Sequence, residues 1–381
     1  MDLSLSPEQE EIRKLAREFS ERDVKPRAQA IDQHGEFPRD LVKKAAELGL
    51  LGVLVPETYG GAGLDHVSFA IFIEEVARQC ASTAVILDVH GSVGSEPIIL
   101  FGSEEQKRRW LPDLAQGKRL AAFALTEPAA GSDAAHLETT ARRKDGGYVL
   151  NGTKIFITNA GEAQLYVVLA TVNPGSGPQG ITAFVVSGDN PGVRIGPRFK
   201  KMGLNGSPIA EVVLQDCEVD ARDRLGEEGH GFRIAMRALD SGRIGISAQA
   251  VGLAQGALDD AVAYAQQRRQ FDRPIADFQT IQNKLADMAV KIRAARLMTW
   301  KAAALCDADR PFTLEASMAK LFASDIAMEV TLDALQVFGG YGYLEEYPMA
   351  RRVRDAKACQ IYEGTNQIQR VVIARELVAA R

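Results

Sequence analysis

The sequence lacks a decisive charge of either sign: 45 lysines and arginines face 50 aspartates and glutamates, for a net charge of -5. A nucleic-acid binder usually carries a basic surplus, so no nucleic-acid partner is expected. Cysteine is scarce. Cys80, Cys217, Cys306 and Cys359 stand far apart and form no CxxC, which argues against a disulfide scaffold or a zinc site and fits a reducing compartment. The five histidines (His34, His66, His90, His136, His230) show neither HxxxH nor HExxH spacing, so no metal is expected. Gly61-Ala62-Gly63-Leu64-Asp65-His66 lacks the third glycine of a dinucleotide fingerprint, and no βαβ unit follows it. No Gly-x-Ser-x-Gly elbow is present, so hydrolase chemistry of that type is not indicated. The apolar runs are interrupted before the roughly 20 residues that a bilayer crossing needs. The start, Met1-Asp2-Leu3-Ser4-Leu5, has neither the basic region nor the apolar core of a signal peptide. These absences point to no membrane partner and a cytoplasmic location. No internal repeat or low-complexity segment occurs.

What is present is an ordinary globular composition, 46% hydrophobic and 25% charged over 381 residues, enough for two or three domains. Three zones follow one another. Residues 1–118 read as helical. Ser6, Pro7 and Gln9 make a helix start with a capping box, and Ile12, Leu15, Ala16 and Phe19 repeat at helical spacing. Pro38 opens a second helical stretch, and Ser103 with Gln106 forms another capping box. Residues 119–226 change period. Short runs rich in β-branched and aromatic residues (148–150, 154–158, 165–171, 181–186, 210–214) are bounded by turn residues such as Gly146-Gly147 and Asn151-Gly152. Such spacing suggests a small barrel or sandwich. Residues 227–381 return to helix in four long segments, 232–270, 275–306, 314–338 and 361–380, which invite a bundle.

Three segments carry candidate chemistry. In Phe123-Ala124-Leu125-Thr126-Glu127-Pro128-Ala129-Ala130-Gly131-Ser132-Asp133 a strand ends in a proline turn with small residues. Such a loop exposes N–H groups that can hold an anionic or polar ring edge, or it is simply a loop with an N-cap at Ser132. In Asn151 to Ala160 an aromatic, Phe156, stands near a hydroxyl, Thr158. The ring either packs on a flat heterocycle or fills a barrel core. In Cys359 to Arg370, Glu363 lies between apolar residues and a glycine. Sealed in an apolar cleft, its carboxylate becomes a stronger base. At a helix start it would merely complement the dipole.

At these segments the chain resembles the acyl-CoA dehydrogenase family, closest to its short-chain (butyryl-CoA) members. The motifs are Thr126-Glu127-Pro128 with Gly131-Ser132-Asp133, Gln336-Val337-Phe338-Gly339-Gly340, and Ile361-Tyr362-Glu363-Gly364-Thr365, and the likeness runs over essentially the whole chain. The resemblance implies a mainly α fold: a helical N-terminal domain (1–118), a central β-barrel (119–226) and a C-terminal four-helix bundle (227–381). It implies FAD between barrel and bundle, lined by Phe123, Leu125, Thr126, Gly131, Ser132, Phe156, Ile157 and Thr158. Arg268 and Gln279 would reach the flavin nucleotide of a neighbouring subunit in a homotetramer. Gln336, Val337, Phe338, Gly339, Gly340, Thr365, Asn366 and Gln367 would complete that site. Asp240, Ser241, Gly242 and Arg243, with Ser132 and Gly364, match substrate-contacting positions.

The resemblance also implies the reaction: oxidation of a short acyl-CoA to the trans-2-enoyl-CoA. Glu363 would take the α-proton, hydride would pass to flavin N5, and electrons would leave to electron-transferring flavoprotein. Some relatives carry the catalytic Glu at the position held here by Gly242, which places the base of this chain on the late segment. Phe156 stands where tryptophan is usual beside the flavin. A flavin oxidase or monooxygenase on the same scaffold, a silent acyl-CoA-binding or flavin-binding assembly protein, and a branched short-chain substrate are the alternative readings.

Overall fold

The computed structural model describes residues 4–379. The start at Met1 and the expected end of the last helix at Ala380 lie outside the described residues. The first zone is helical: α1 (Pro7–Phe19), α2 (Ala28–His34), α3 (Arg39–Glu47), α4 (His66–Gln79), α5 (Ala81–Val89), α6 (Glu96–Phe101) and α7 (Glu104–Ala115). Both expected capping boxes form. The Gln9 N–H donates to Ser6 Oγ at 3.2 Å, and the Ser6 N–H donates back to Gln9 Oε1 at 3.0 Å. At the start of α7, Ser103 and Gln106 do the same, and Gln106 Nε2 also donates to the carbonyls of Arg222 and Arg224, both at 2.8 Å. One cap thus also ties the helical zone to the sheet.

α5 runs through a π-helical turn (His90–Ser95) into α6. The whole stretch Ala81–Phe101 is long and apolar enough to cross a membrane by length and composition, contrary to the expected interruption, and 83% of its most apolar window is buried inside the protein. It is a core helix of this fold.

The second zone holds β1 (Ala121–Ala124), β2 (Thr140–Lys144), β3 (Gly147–Thr158), β4 (Leu165–Thr171), β5 (Ile181–Ser187), β6 (Val193–Ile195), β7 (Ile209–Asp220) and β8 (Arg224–Leu225). They form one mixed sheet in the order β6-β7-β3-β2-β4-β5-β8, with β1 parallel to β4. Among the described residues no ladder joins β6 to β8, so backbone pairing does not close the expected barrel into a ring. The expected turn at Asn151-Gly152 is instead a bulge inside the single strand β3. Gly152 has φ +153°, and a Cβ there would lie 2.7 Å from the backbone and side chain of Thr139. The glycine bends the strand rather than ending it.

The third zone contains α8 (Gly231–Gln267), α9 (Gln279–Asp307), α10 (Thr313–Phe338), α11 (Pro348–Cys359) and α12 (Asn366–Ala379). α11 was not foreseen, and the last helix starts five residues after the expected Ile361. α8 is the spine. It packs on α4, α5, α9 and α10 and is buried along most of its 37 residues. Its alanines and glycines let these neighbours approach closely, so side chains from α5 and from the α11–α12 turn reach its surface.

The loop from β1 to β2, which carries Thr126, Gly131 and Ser132, is pinned from beneath. Lys154 on β3 is fully buried, and its Nζ donates to Glu127 Oε1 at 2.6 Å and to the Leu125 carbonyl at 3.0 Å. The Glu127 carboxylate also accepts from the Glu138 and Thr139 N–H groups, at 2.5 and 3.1 Å. Burial brings Lys154 down to about 8, while Lys154 and these hydrogen bonds outweigh burial at Glu127 and keep it below the usual carboxylate range. Replacing Lys154 by Met leaves a buried, unpaired carboxylate. The expected loss is about 3–5 kcal/mol in chemical denaturation, and Glu127→Leu on top of it should recover much of that loss. An unchanged denaturation midpoint for Lys154→Met would contradict the clamp.

Candidate active site

Glu363 sits in the turn between α11 and α12, two residues upstream of Thr365 and outside either helix. The helix-dipole alternative therefore does not apply. Its backbone is left-handed, φ +51°, and Gly364 follows at φ +91°. A Cβ on Gly364 would lie 2.7 Å from Gln369 Nε2, so the position needs glycine twice over. The strained turn is held by its carbonyls. Gln369 Nε2 donates to Glu363 O at 3.2 Å and to Gly364 O at 2.9 Å, and Lys320 Nζ donates to Gly364 O at 2.8 Å. Asn366 accepts from Lys320 Nζ at 2.9 Å and donates to Ser324 and Asp325, so its side chain faces inward and braces the turn.

The Glu363 carboxyl lies against α8 at Gly242. A Cβ on that glycine would collide with Glu363 Oε2 and lie 2.9 Å from its Cδ. The Glu363 side chain and any side chain at position 242 thus compete for one space. Oε2 is buried and has no hydrogen-bond partner among the described residues. Burial pushes Glu363 up to about 7, with Lys320 and Arg243 partly opposing the rise. A carboxyl half-ionised near neutral pH, with an oxygen free to accept, is a competent proton acceptor.

The neighbouring residues of α8 are all buried. Arg243 Nη1 donates to Asp240 Oδ1 at 2.6 Å and to Ser317 Oγ at 3.3 Å, while Thr313 Oγ1 donates to Asp240 Oδ2 at 2.6 Å. Arg243 Nε has no hydrogen-bond partner among the described residues. Ser241 Oγ donates to Glu96 Oε1 at 2.8 Å. Behind Ser241, His66, Glu96 and Cys306 bring ligand-type atoms within 4.8 Å of one another, a cluster that linear spacing hides. Its donors are already engaged. His66 bonds Asp307 at 2.6 Å and Glu96 at 3.2 Å, and Arg237 reaches Cys306 Sγ at 3.3 Å and Glu96 at 3.3 Å. A resident guanidinium makes this an ion-pair network.

The residues expected to line a flavin fall into separate places. Phe156 lies in a β3 bulge with φ +57°, its ring 57% exposed and 5.5 Å from the Phe199 ring. It does not fill the sheet core, which settles that alternative. Ile157 is buried, Thr158 half-buried, Leu125 buried, Phe123 and Thr126 half-buried, and Gly131 and Ser132 exposed. Val337, Phe338, Gly339 and Gly340 join Arg268, Tyr264 and Tyr341 around a pocket of about 430 Å³. A Cβ on Gly339 or Gly340 would meet nothing within 4 Å, and Gly339 has φ +60°. The Arg268 guanidinium lies 5.4 Å from the Tyr341 ring centroid. Gln279, Gln336 and Gln367 are exposed and do not line this pocket. An exposed aromatic, an open glycine backbone and an arginine fork suit a planar ring system with a pyrophosphate, so the residues fit FAD.

Asp88, Lys320 and Gln249 were missed. Asp88 is fully buried, Gln249 accepts from the Tyr362 hydroxyl, and Lys320 is buried beneath Gly364. The available signal was a lone polar residue in an apolar helical run, which shows that something is odd but not what it faces.

Three family models match in succession: the acyl-CoA dehydrogenase N-terminal domain over residues 6–118, the middle domain over 122–217 and the C-terminal domain over 229–378. An acyl-CoA dehydrogenase of Bacillus subtilis is 50% identical over 376 residues, 99% of each chain. The structure of butyryl-CoA dehydrogenase from Megasphaera elsdenii superposes with a TM-score of 0.98 at 46% identity, covering 99% of this chain and 100% of that one. A chain from the structure described as the electron transferring flavoprotein of Acidaminococcus fermentans also gives 0.98, at 47% identity and 99% of each chain. With all three of its domains matched in order, the chain belongs to the acyl-CoA dehydrogenase family of FAD-dependent oxidoreductases.

Proposed function

We propose that the protein dehydrogenates a short-chain acyl-CoA between its α- and β-carbons, with Glu363 as the base. The observation that carries this reading is the Glu363 carboxyl, sealed against Gly242 with Oε2 unpartnered. The likeness to butyryl-CoA dehydrogenase supports a short acyl group. The division into helical (1–118), sheet (119–226) and bundle (227–381) domains, and a homotetramer, belong to the same reading.

Each residue then has a task. Asp240 and Arg243, already paired at 2.6 Å, hold the CoA moiety, and Ser132 and Gly364 flank the thioester. An α C–H is a weak acid, so its loss requires donors aimed at the thioester oxygen, and the Glu363 N–H is one. The strained turn at Glu363–Gly364 orients both this N–H and the carboxyl. Substrate expels water from around Glu363, which strengthens it as a base. Thr126, Ser132, Phe156 and Thr158 would hold FAD, while Arg268 and Gln279, completed by Gln336 to Gly340 and Thr365 to Gln367, would reach the flavin nucleotide of a neighbouring subunit. FAD, when bound, supplies the acceptor for the hydride leaving the β-carbon. The likeness to the Acidaminococcus structure supports electron-transferring flavoprotein as the next acceptor. The presence of Glu363 and of the flavin motifs argues against a silent binding protein.

Only ionised Glu363 takes a proton, and burial raises it to about 7. The kcat/KM of the wild type should therefore rise as pH rises through about 7 and level above it. Glu363→Gln should retain FAD and fold, lower the rate of anaerobic flavin bleaching by butyryl-CoA at least about 10²–10⁴-fold, and lose that pH step. Bleaching at the wild-type rate in this variant would overturn the assignment.

A further inference from the structure

Asp88 has no task in that reaction, yet it stands beside the base. It projects from α5 and is 0% exposed. Neither carboxyl oxygen has a hydrogen-bond partner among the described residues. Ser92 Oγ donates at 2.8 Å to the Asp88 main-chain carbonyl. The slot for this side chain is cut into α8: a Cβ on Gly245 would collide with Asp88 Oδ1 and lie 2.6 Å from its Cγ. Gly242, three residues earlier on the same helix face, makes the corresponding slot for Glu363. Two glycines thus seat two buried carboxyls next to each other.

Two carboxyls seated side by side do not readily both carry charge. Burial, then repulsion from Glu363, holds Asp88 well above the usual carboxylate range, with the Ser92 hydroxyl partly opposing the rise and Glu96 adding to it. The cations that face Glu363 are Arg243 from α8 and Lys320 from α10, and the remaining titratable neighbours are Tyr362 and Cys359. With Glu363 acting as the base, Asp88 keeps its proton. A neutral carboxyl offers one O–H donor and one carbonyl acceptor, and a plain alkyl tail laid against it would satisfy neither.

We propose that Asp88 is a specificity residue, and that the acyl chain of the preferred substrate carries a neutral hydroxyl beyond the β-carbon, which Asp88 engages. The proposal rests on Glu363 standing at the α-carbon, since Asp88, seated three residues further along the same α8 face, then neighbours the acyl group bonded to that carbon. A hydroxyl, like a protonated carboxyl, both donates and accepts, so each completes the other. An ammonium group fits less well. A positive charge there would stabilise the Glu363 anion and weaken it as a base.

The test compares 4-hydroxybutyryl-CoA with pentanoyl-CoA, which places a methyl where the hydroxyl would be. With the holoenzyme and an artificial acceptor, wild type should favour the hydroxy thioester in kcat/KM by about tenfold or more. Asp88→Val should reverse the preference, and Asp88→Asn, which keeps a donor and an acceptor, should retain part of it. Calorimetric binding of the two thioesters to the non-reacting Glu363→Gln enzyme should show the same order. A wild type that prefers pentanoyl-CoA, or an unchanged ratio in Asp88→Val, would overturn the proposal while leaving the base assignment intact. If wild type oxidises neither thioester, the dehydrogenase reading falls and this specificity with it.

Discussion

A carboxyl side chain seated on a glycine of a buried helix is the contact that organises this site. Glu363 can reach its position only because Gly242 offers no side chain, and a Cβ there would collide with Oε2. The same packing buries the carboxyl, and burial brings it to about 7. Location and basicity therefore have one cause. The rest of the architecture keeps this contact in register. α8 supplies the glycine face, the strained Glu363–Gly364 turn aims the side chain, and Lys320, Gln369 and Asn366 hold the turn from behind. Strain of this kind persists when surrounding bonds over-determine it, and here three side chains do so.

Much of the fold could be read from local pattern. The capping boxes at Ser6 and Ser103 form as their spacing indicates, and β4 occupies the expected 165–171. These features depend on residues three apart or on strict strand composition, so neighbours in sequence decide them. Other readings required distant partners. Asn151-Gly152 has turn composition, yet Thr139 packs against it and β3 continues through a bulge. Ile361 to Thr365 was expected inside a helix, but Lys320 and Gln369 bind the carbonyls of its left-handed turn.

Motif and local geometry coincide at Glu363, whose carboxyl abuts Gly242, and at the Val337–Gly340 segment, which shares a pocket with Arg268. Sequence is silent where an arrangement depends on what lies across a helix interface. Asp88 appears in sequence as one acid in an apolar helix. Only the packing of α5 on α8 places it over Gly245 and beside the base. The His66–Glu96–Cys306 cluster is likewise invisible to spacing rules, and Arg237 explains why proximity of such side chains does not by itself make a metal centre.

The most direct measurement of the central claim is anaerobic flavin bleaching by butyryl-CoA in Gly242→Ala. A single methyl group there should displace the Glu363 carboxyl without touching the flavin-holding residues. The account predicts an enzyme that keeps its bound FAD and bleaches about 100-fold more slowly than wild type, the cost of misplacing a reacting group by about 1 Å. Bleaching at the wild-type rate in a fully flavinylated Gly242→Ala enzyme would contradict it.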